Sequence, residues 1–580
     1  MRYFIIFLFL FTFTITTSAN RLSSYIEQET IQKIDSQNQQ RQQQRDKIRE
    51  AQLNTEKEVK FQIRSSRLYL PQEETPCYPI QKITLKDYNS SNQKSQFKPL
   101  LQETFKELNL TFPHCLGGEG LNIVMKQLQN NIIKQGFVTS RVVASPQDLH
   151  SGILELTVIK GRVRHFIVAD SSNIPRFSSL SAWTAMALKS GDVLNVRDIE
   201  QSLENLKRVP TAEANIEILP AQGNGIQVGE SDLKISYTQA FPIRLTLGLD
   251  DSGSRSTGKF QGSATLSFDN LLTGNDLFYA SYTHSLKTKE DDKGKRGTHN
   301  LSLHYSFPVG YWLFSLDHSQ NQYYQEVFGA FQNYIYSGKS KTEKVNASYT
   351  LYRDNKRKTS LWGGVWVRNS NSFIDHEKID VQHRHTGGWQ VGIKYQHVFE
   401  NTTLNLGLSY KRGTGAFGAI SAPEELFNEG TSRFKLIFAN LSLTTPFKVA
   451  ESHWQHSLRF NGQYNRTPLT SQDRFSIGGR YSVRGFNGEL TLSGNKGWTV
   501  QNDITWIINP TRQFYLGIDY GKVYQQQSDS LGNELMGMAL GLKGMQWGIN
   551  YDVFFGVPLY KPKGFRTSDV VTAFNISYQF

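Results

Sequence analysis

The sequence predicts a two-part exported chain, with small α+β domains up to about residue 239 and an all-β membrane barrel of sixteen antiparallel strands over 240–580. Three observations predict it. Hydrophobic residues make up only 38% of the chain while aromatics reach 12%, with 36 Phe, 26 Tyr and 46 Gly, a mixture of interface aromatics and turn glycines that suits a barrel. Beyond the N-terminus no run of eighteen apolar residues occurs, which excludes helical spans and leaves a β-barrel as the membrane-crossing form. From Phe241 the hydrophobicity takes a period of two: Ile243, Leu245, Leu247 and Leu249 alternate with Arg244, Thr246, Gly248 and Asp250, the pattern of a strand with one face in lipid and one in water.

Residues 1–19 carry one basic residue, Arg2, an apolar stretch from Tyr3 to Ile15, and the small residues Thr17, Ser18 and Ala19. This reads as a secretory signal peptide cleaved after Ala19, because the apolar stretch is too short to span. Residues 20–53 are rich in Gln and charge and free of Gly and Pro, so one long helix is expected there. Its apolar residues are too sparse for a core-facing stripe. Residues 54–75 read as a linker.

Residues 76–162 and 163–239 follow one plan of strand, two helices and two strands. In the first unit the helices are expected over Pro99–Leu108 and Leu121–Gln135, with strands at Ile80–Leu85, Phe137–Val143 and Ile153–Ile159. In the second, helices are expected over Leu180–Leu188 and Val196–Leu206, with strands at Arg164–Ala169, Ala214–Leu219 and Ser231–Tyr237. Each unit is small for its own core. The only two cysteines, Cys77 and Cys115, fall in the first unit, and in an exported chain a disulfide between them is the default expectation, worth about 3–4 kcal/mol on the chain-entropy model.

Within the barrel region, turn signals such as Thr273-Gly274-Asn275, Asp354-Asn355-Lys356 and Asn509-Pro510 separate the alternating segments, and an even strand count is what closure of a single-chain barrel requires. The net charge of +13 comes from basic residues scattered through turns and alternate strand positions. No compact basic patch is legible, so nucleic acid is not expected as a partner. His383-Arg384-His385 reads as a solvated loop, Glu424-Glu425 lacks a cleft partner, and Gly413–Gly418 has no lysine for phosphate. Neither an enzyme nor a metal or cofactor site is expected.

The segment Ser476–Phe486 contains Gly478, Gly479, Val483, Arg484, Gly485 and Phe486. Farther on, Phe514, Leu516, Ile518 and Tyr520 alternate with Tyr515, Gly517, Asp519 and Gly521, which points Asp519 inward. On spacing alone Asp250, Asp503 and Asp519 all compete for Arg484. The Val-Arg-Gly-Phe loop followed by an Asp-x-Gly strand resembles the signature of the Omp85 superfamily, specifically the two-partner secretion (TpsB) transporters of the haemolysin and contact-dependent-inhibition type. The two α+β units resemble paired POTRA domains, the first in Pro76-Cys77-Tyr78-Pro79-Ile80 and the second in Val196–Gln201.

The resemblance implies that 20–53 is a plug helix in the barrel lumen and that a loop over 465–497 folds inward. There Arg484 would pair with Asp519, with Val483, Gly485 and Phe486 at the loop tip and Gly478, Gly479, Gly517 and Gly521 in support. Phe486 stands where many relatives carry Tyr, which leaves no hydroxyl at that position. It also implies an assembly signal at Phe580 read by the barrel-assembly machinery, a monomer in outer-membrane lipid with its POTRA-like units in the periplasm, and a large secreted exoprotein as partner, docked by strand addition on candidate edge and groove elements in Phe137–Val143 and Val196–Leu206. A barrel-assembly insertase would share the loop and the POTRA-like units; two units in place of a longer array, with the N-terminal helix, favour the transporter.

Overall fold

The computed structural model describes residues 68–89, 95–329, 331–509, 511–524 and 532–580. The expected signal peptide and plug helix, and most of the expected linker, lie outside the described residues.

The first unit opens with β1 (Tyr78–Ile80) and β2 (Lys82–Asp87), followed by α1 (Lys98–Glu107), β3 (His114–Leu116), α2 (Gly118–Lys134), β4 (Arg141–Ala144) and β5 (Ile153–Ile159). β2 and β4 flank β5 in a three-stranded sheet. Val124, Leu128 and Ile132 recur on one face of α2 and are fully buried against Leu154, Leu156 and Val158. Cys77 and Cys115 form a disulfide with a Cα–Cα distance of 5.4 Å, which ties the segment before β1 to β3. Beside it the Glu74 carboxylate accepts the backbone N–H groups of Gly117 (2.7 Å), Glu119 (3.0 Å) and Gly120 (2.9 Å). A carboxylate on the free N–H groups of a helix start is stabilising by charge and by hydrogen bonding. The expected strand over Phe137–Val143 is shorter and begins at Arg141: Phe137 packs edge-to-face on Phe97 at 5.0 Å and the chain turns before pairing begins.

The second unit comprises β6 (Arg162–Asp170), α3 (Ser179–Ala185), α4 (Val196–Leu206), β7 (Ala212–Pro220) and β8 (Glu230–Gln239), with β8 central in its sheet. Ile199, Leu203 and Leu206 of α4 are buried with Leu233 and Ile235 of the sheet. The opposite face of α4 is buried as well, because it lies on the barrel.

The barrel strands are β9 (Ile243–Asp250), β10 (Phe260–Asp269), β11 (Leu277–Leu286), β12 (Arg296–Val309), β13 (Trp312–Phe328), β14 (Asn333–Arg353), β15 (Arg357–Ile374), the two-residue β16 (Glu377–Lys378), β17 (Arg384–Phe399), β18 (Thr402–Thr414), β19 (Lys435–Val449) and β20 (Ser452–Asn465). Two short strands in the following loop, β21 (Phe475–Ile477) and β22 (Leu492–Gly494), pair with each other. β23 (Lys496–Asn509), β24 (Arg512–Tyr524), β25 (Glu534–Gln546), β26 (Ile549–Tyr560) and β27 (Val571–Gln579) complete the wall. Neighbours pair antiparallel throughout, and β27 pairs with β9 to close the barrel. Sixteen long strands make the wall, as expected, and β16 only extends the hairpin beyond β15.

Short turns lie at one end, next to the second unit: the N–H of Gly310, between β12 and β13, donates to the Thr184 carbonyl at 2.9 Å. Leu404, Leu406 and Leu408 of β18 face outward and Asn405, Gly407 and Ser409 face the lumen. At the chain end the Phe580 side chain is exposed beside Tyr578, and its N–H donates to the Leu245 carbonyl at 2.8 Å.

Candidate functional site

Between β20 and β23, residues 466–495 leave the wall and fold into the lumen. Phe475–Ile477 and Leu492–Gly494 pair as the stem of this loop, antiparallel and in register. At its tip the Ser482 hydroxyl accepts the N–H groups of Gly478 (3.0 Å) and Gly479 (3.3 Å), and the N–H of Val483 donates to the Gly479 carbonyl at 3.0 Å. Gly485 has φ +98, a left-handed backbone that disfavours any side chain, and it turns the chain directly after Arg484. Ile477, Val483, Phe486 and Leu492 then bury themselves against Val523, Leu535 and Phe565, with Phe486 edge-to-face on Phe565 at 5.7 Å. The loop thus has a small apolar core shared with the wall.

Arg484 is only 6% exposed, so its charge needs compensation. Its backbone N–H and Nε donate to Asp519 Oδ2 at 2.8 and 2.7 Å, and Nη2 donates to Asp519 Oδ1 at 2.6 Å. Nη2 also donates to Asp503 Oδ1. Asp503 Oδ2 in turn accepts from Arg459 Nη2 at 3.1 Å. Two cations and two carboxylates therefore alternate, Asp519, Arg484, Asp503 and Arg459, which leaves this chain of groups neutral overall. The guanidinium also lies 5.6 Å from the Tyr515 ring centre, whose hydroxyl donates to Asp552 at 2.9 Å. Such charge-assisted, partly bidentate bonding fixes orientation as well as position.

The structure brings together Arg484, Asp519, Val483, Gly485, Phe486, Gly517 and Gly521. Gly517 stands opposite Asp503 on the neighbouring strand, and a Cβ there would collide with both the Arg484 guanidinium and the Asp503 carboxylate. A Cβ on Gly521 would come within 2.8 Å of Val483. Gly478 and Gly479 lie at the base of the tip, and Asp250 is not among the partners of Arg484.

Sequence reasoning missed several members. Asp503 entered as a competitor of Asp519, whereas both hold the arginine. Gly537 on β25 and Gly556 on β26 lie where the loop backbone crosses the wall, and a Cβ on either would strike Arg484 or Gly485. The signal was available as a glycine at an inward position on each of three successive strands. Arg480 pairs with Asp251 at 2.7 Å, and Asp473, at the start of the loop, pairs with Arg368 of β15 at 2.7 Å. These two pairs brace the loop against other sectors of the wall.

Two readings are corrected. Arg384 and His385 belong to β17, and Arg384 is buried and paired with Glu424 at 2.6 Å, so this stretch is a strand end and Glu424 has a partner. Helix α4 is not an open groove. Arg353 at the end of β14 donates to Gln201 and Glu204, both at 2.9 Å, Lys358 donates to Glu204 at 2.9 Å, and the Tyr311 hydroxyl donates to Asp198 at 2.5 Å. Burial alone would raise the Glu204 carboxyl, but Lys358 and Arg353 beside it hold it below the ordinary glutamate value. Burial holds Asp198 above the ordinary aspartate value.

A family model described as "Haemolysin secretion/activation protein ShlB/FhaC/HecB" matches residues 229–544, a ShlB-type POTRA model matches 79–161 and a further POTRA model matches 163–220. The chain is similar to the outer membrane transporter CdiB-2 of Burkholderia pseudomallei, 32% identical over 521 residues and 87% of each chain. To the hemolysin transporter protein ShlB of Serratia marcescens it is 24% identical over 435 residues and 74% of each chain. Among solved structures it is similar to CdiB from Acinetobacter baumannii, with a TM-score of 0.83 at 30% identity, covering 95% of this chain and 99% of that one.

Proposed function

Because the chain belongs to the haemolysin secretion/activation family ShlB/FhaC/HecB, the two-partner secretion transporters of the Omp85 superfamily, we propose a route by which its large partner exoprotein crosses the outer membrane. The protein is an outer-membrane transporter with both POTRA domains in the periplasm. The relatives named above are transporters and the solved structure is a CdiB, which sets the insertase reading aside.

On this route the exoprotein docks in the periplasm by adding a strand to a free POTRA sheet edge. β7 supports this best. Its nine residues pair only with β8 among the described residues, whereas the N–H of Val142 on the edge strand β4 is already taken by the Gln129 side chain at 2.8 Å. The exoprotein then threads the lumen as an extended chain once residues 20–53 have left it, and folds outside. Domain limits at 19, 53, 75, 162 and 239 belong to this proposal. So do recognition of Phe580 by the barrel-assembly machinery and a monomeric working state.

The observation that carries the route is the loop 466–495, held inside a closed barrel by Arg484 between two carboxylates. It narrows the lumen without sealing it by covalent means, and we assign it the role of a fixed structural lock. The test is export itself. Cells expressing this chain together with its partner exoprotein should display the exoprotein on their surface, and cells lacking this chain should retain it in the periplasm. Equal display in both would overturn the route.

A further inference from the structure

Basic residues that are scattered in sequence gather on one outer sector of the barrel. Arg412 on β18 and Lys435 on β19 are direct cross-strand partners. Arg466 follows β20 and its N–H donates to the Lys435 carbonyl at 2.9 Å, so three cations sit side by side on adjacent strands. Adjacent strands lie about 4.8 Å apart, and like charges placed directly opposite one another are destabilising. None of the three has a carboxylate partner among the described residues.

All three lie on the outside. The intervening residues Leu436 and Gln463 are buried toward the lumen, and Lys411 stacks on the Trp366 ring at 4.0 Å. Arg412 and Arg466 are exposed. Toward the periplasm the same outward rows continue as Tyr410, Leu408 and Leu406 on β18 and as Ile437 and Leu441 on β19. The cations therefore cap the apolar belt, past its aromatic girdle, at the end opposite the POTRA domains. That level is the headgroup layer of the outer leaflet.

We propose that Arg412, Lys435 and Arg466 form a binding site for the phosphate groups of the outer-leaflet glycolipid, with the acyl chains lying on the leucine rows below. Continuity with the lipid-facing belt favours a lipid over an acidic segment of the exported protein, which would emerge through the lumen on the other side of the wall. Arginine and lysine in this spacing supply forked and point-charge donors to more than one phosphate oxygen at once. The proposal rests on the outer-membrane reading, and flotation of the wild-type chain with membranes checks that reading separately.

The test uses full-length chain in phosphatidylethanolamine nanodiscs, titrated with bisphosphorylated lipid A and read by native mass spectrometry. Wild type should retain lipid A. The Arg412→Gln, Lys435→Gln, Arg466→Gln triple variant should bind it at least tenfold more weakly, with Lys448→Gln at the periplasmic end as the matched control and heat-modified gel mobility as the check on folding. Dephosphorylated lipid A should bind wild type no better than the triple variant. Equal retention by the folded triple variant would overturn the proposal, as would equal binding of the dephosphorylated lipid. Full competition by inorganic phosphate alone would replace the lipid site by a free-anion site. Unchanged lipid binding with lost exoprotein binding in the triple variant would reassign the patch to the exported protein.

Discussion

Asp503 lies opposite Gly517 in the β23–β24 register, and the missing side chain at 517 is the space that the Arg484 guanidinium fills. The lock is thus one arginine between two acids, and its members are not equivalent. Asp519→Asn should weaken loop docking by about 3–5 kcal/mol, the usual cost of leaving a buried partner uncompensated; protease nicking within 466–495 would report it. Arg484→Lys should fail to restore docking, since an ammonium cannot reproduce the paired Nε and Nη2 bonds. Gly537→Val should expel the loop with every charge intact, because its side chain would occupy the site of the Arg484 carbonyl. Arg484 and Asp519 were legible as a motif, and Gly517 and Gly521 as inward glycines. The role of Asp503 was not legible, because only strand register brings residues 503 and 517 side by side.

Helix α4 joins the second POTRA domain to the barrel. Its limits, Val196–Leu206, were read from the sequence without error, yet its role was not. Its polar residues Arg197, Glu200, Gln201 and Asn205 are buried because the barrel turns supply Arg353 and Gly310, more than a hundred residues away, as partners. The helix expected as a docking groove is the joint between the second POTRA domain and the barrel. Glu204 is held below its ordinary value in this joint, so its contribution to docking is complete above pH 4.5 and fades as pH falls through its lowered value. Asp198, held above its ordinary value, acts in the opposite direction, being most favourable when protonated at low pH. The protection of the α4 amides, taken as the exchange rate relative to the intrinsic rate at the same pH, should therefore fall from pH 7 to pH 3 in wild type, and this acid-dependent loss should be smaller in Glu204→Gln. Unaltered acid dependence in that variant would remove Glu204 from the joint.

For the whole molecule, the number of strands followed from two-residue alternation and turn chemistry, since lipid on one side and water on the other impose that pattern at every strand. Closure by β27 on β9 and the passage of 466–495 through the interior depend on contacts between distant segments, and the family resemblance supplied them. If residues 20–53 occupy the lumen at rest, a chain lacking them should show a sharp rise in single-channel conductance in planar bilayers, and an unchanged pore would refute the plug. We propose that the folded-in loop, held by Arg484 between Asp519 and Asp503, is required for export. Surface display of the partner exoprotein by cells carrying Arg484→Ala, with the barrel's heat-modified gel shift confirming that it is folded in the outer membrane, tests this most directly. The folded Arg484→Ala barrel should show at least a tenfold fall in display. Display at the wild-type level would contradict it.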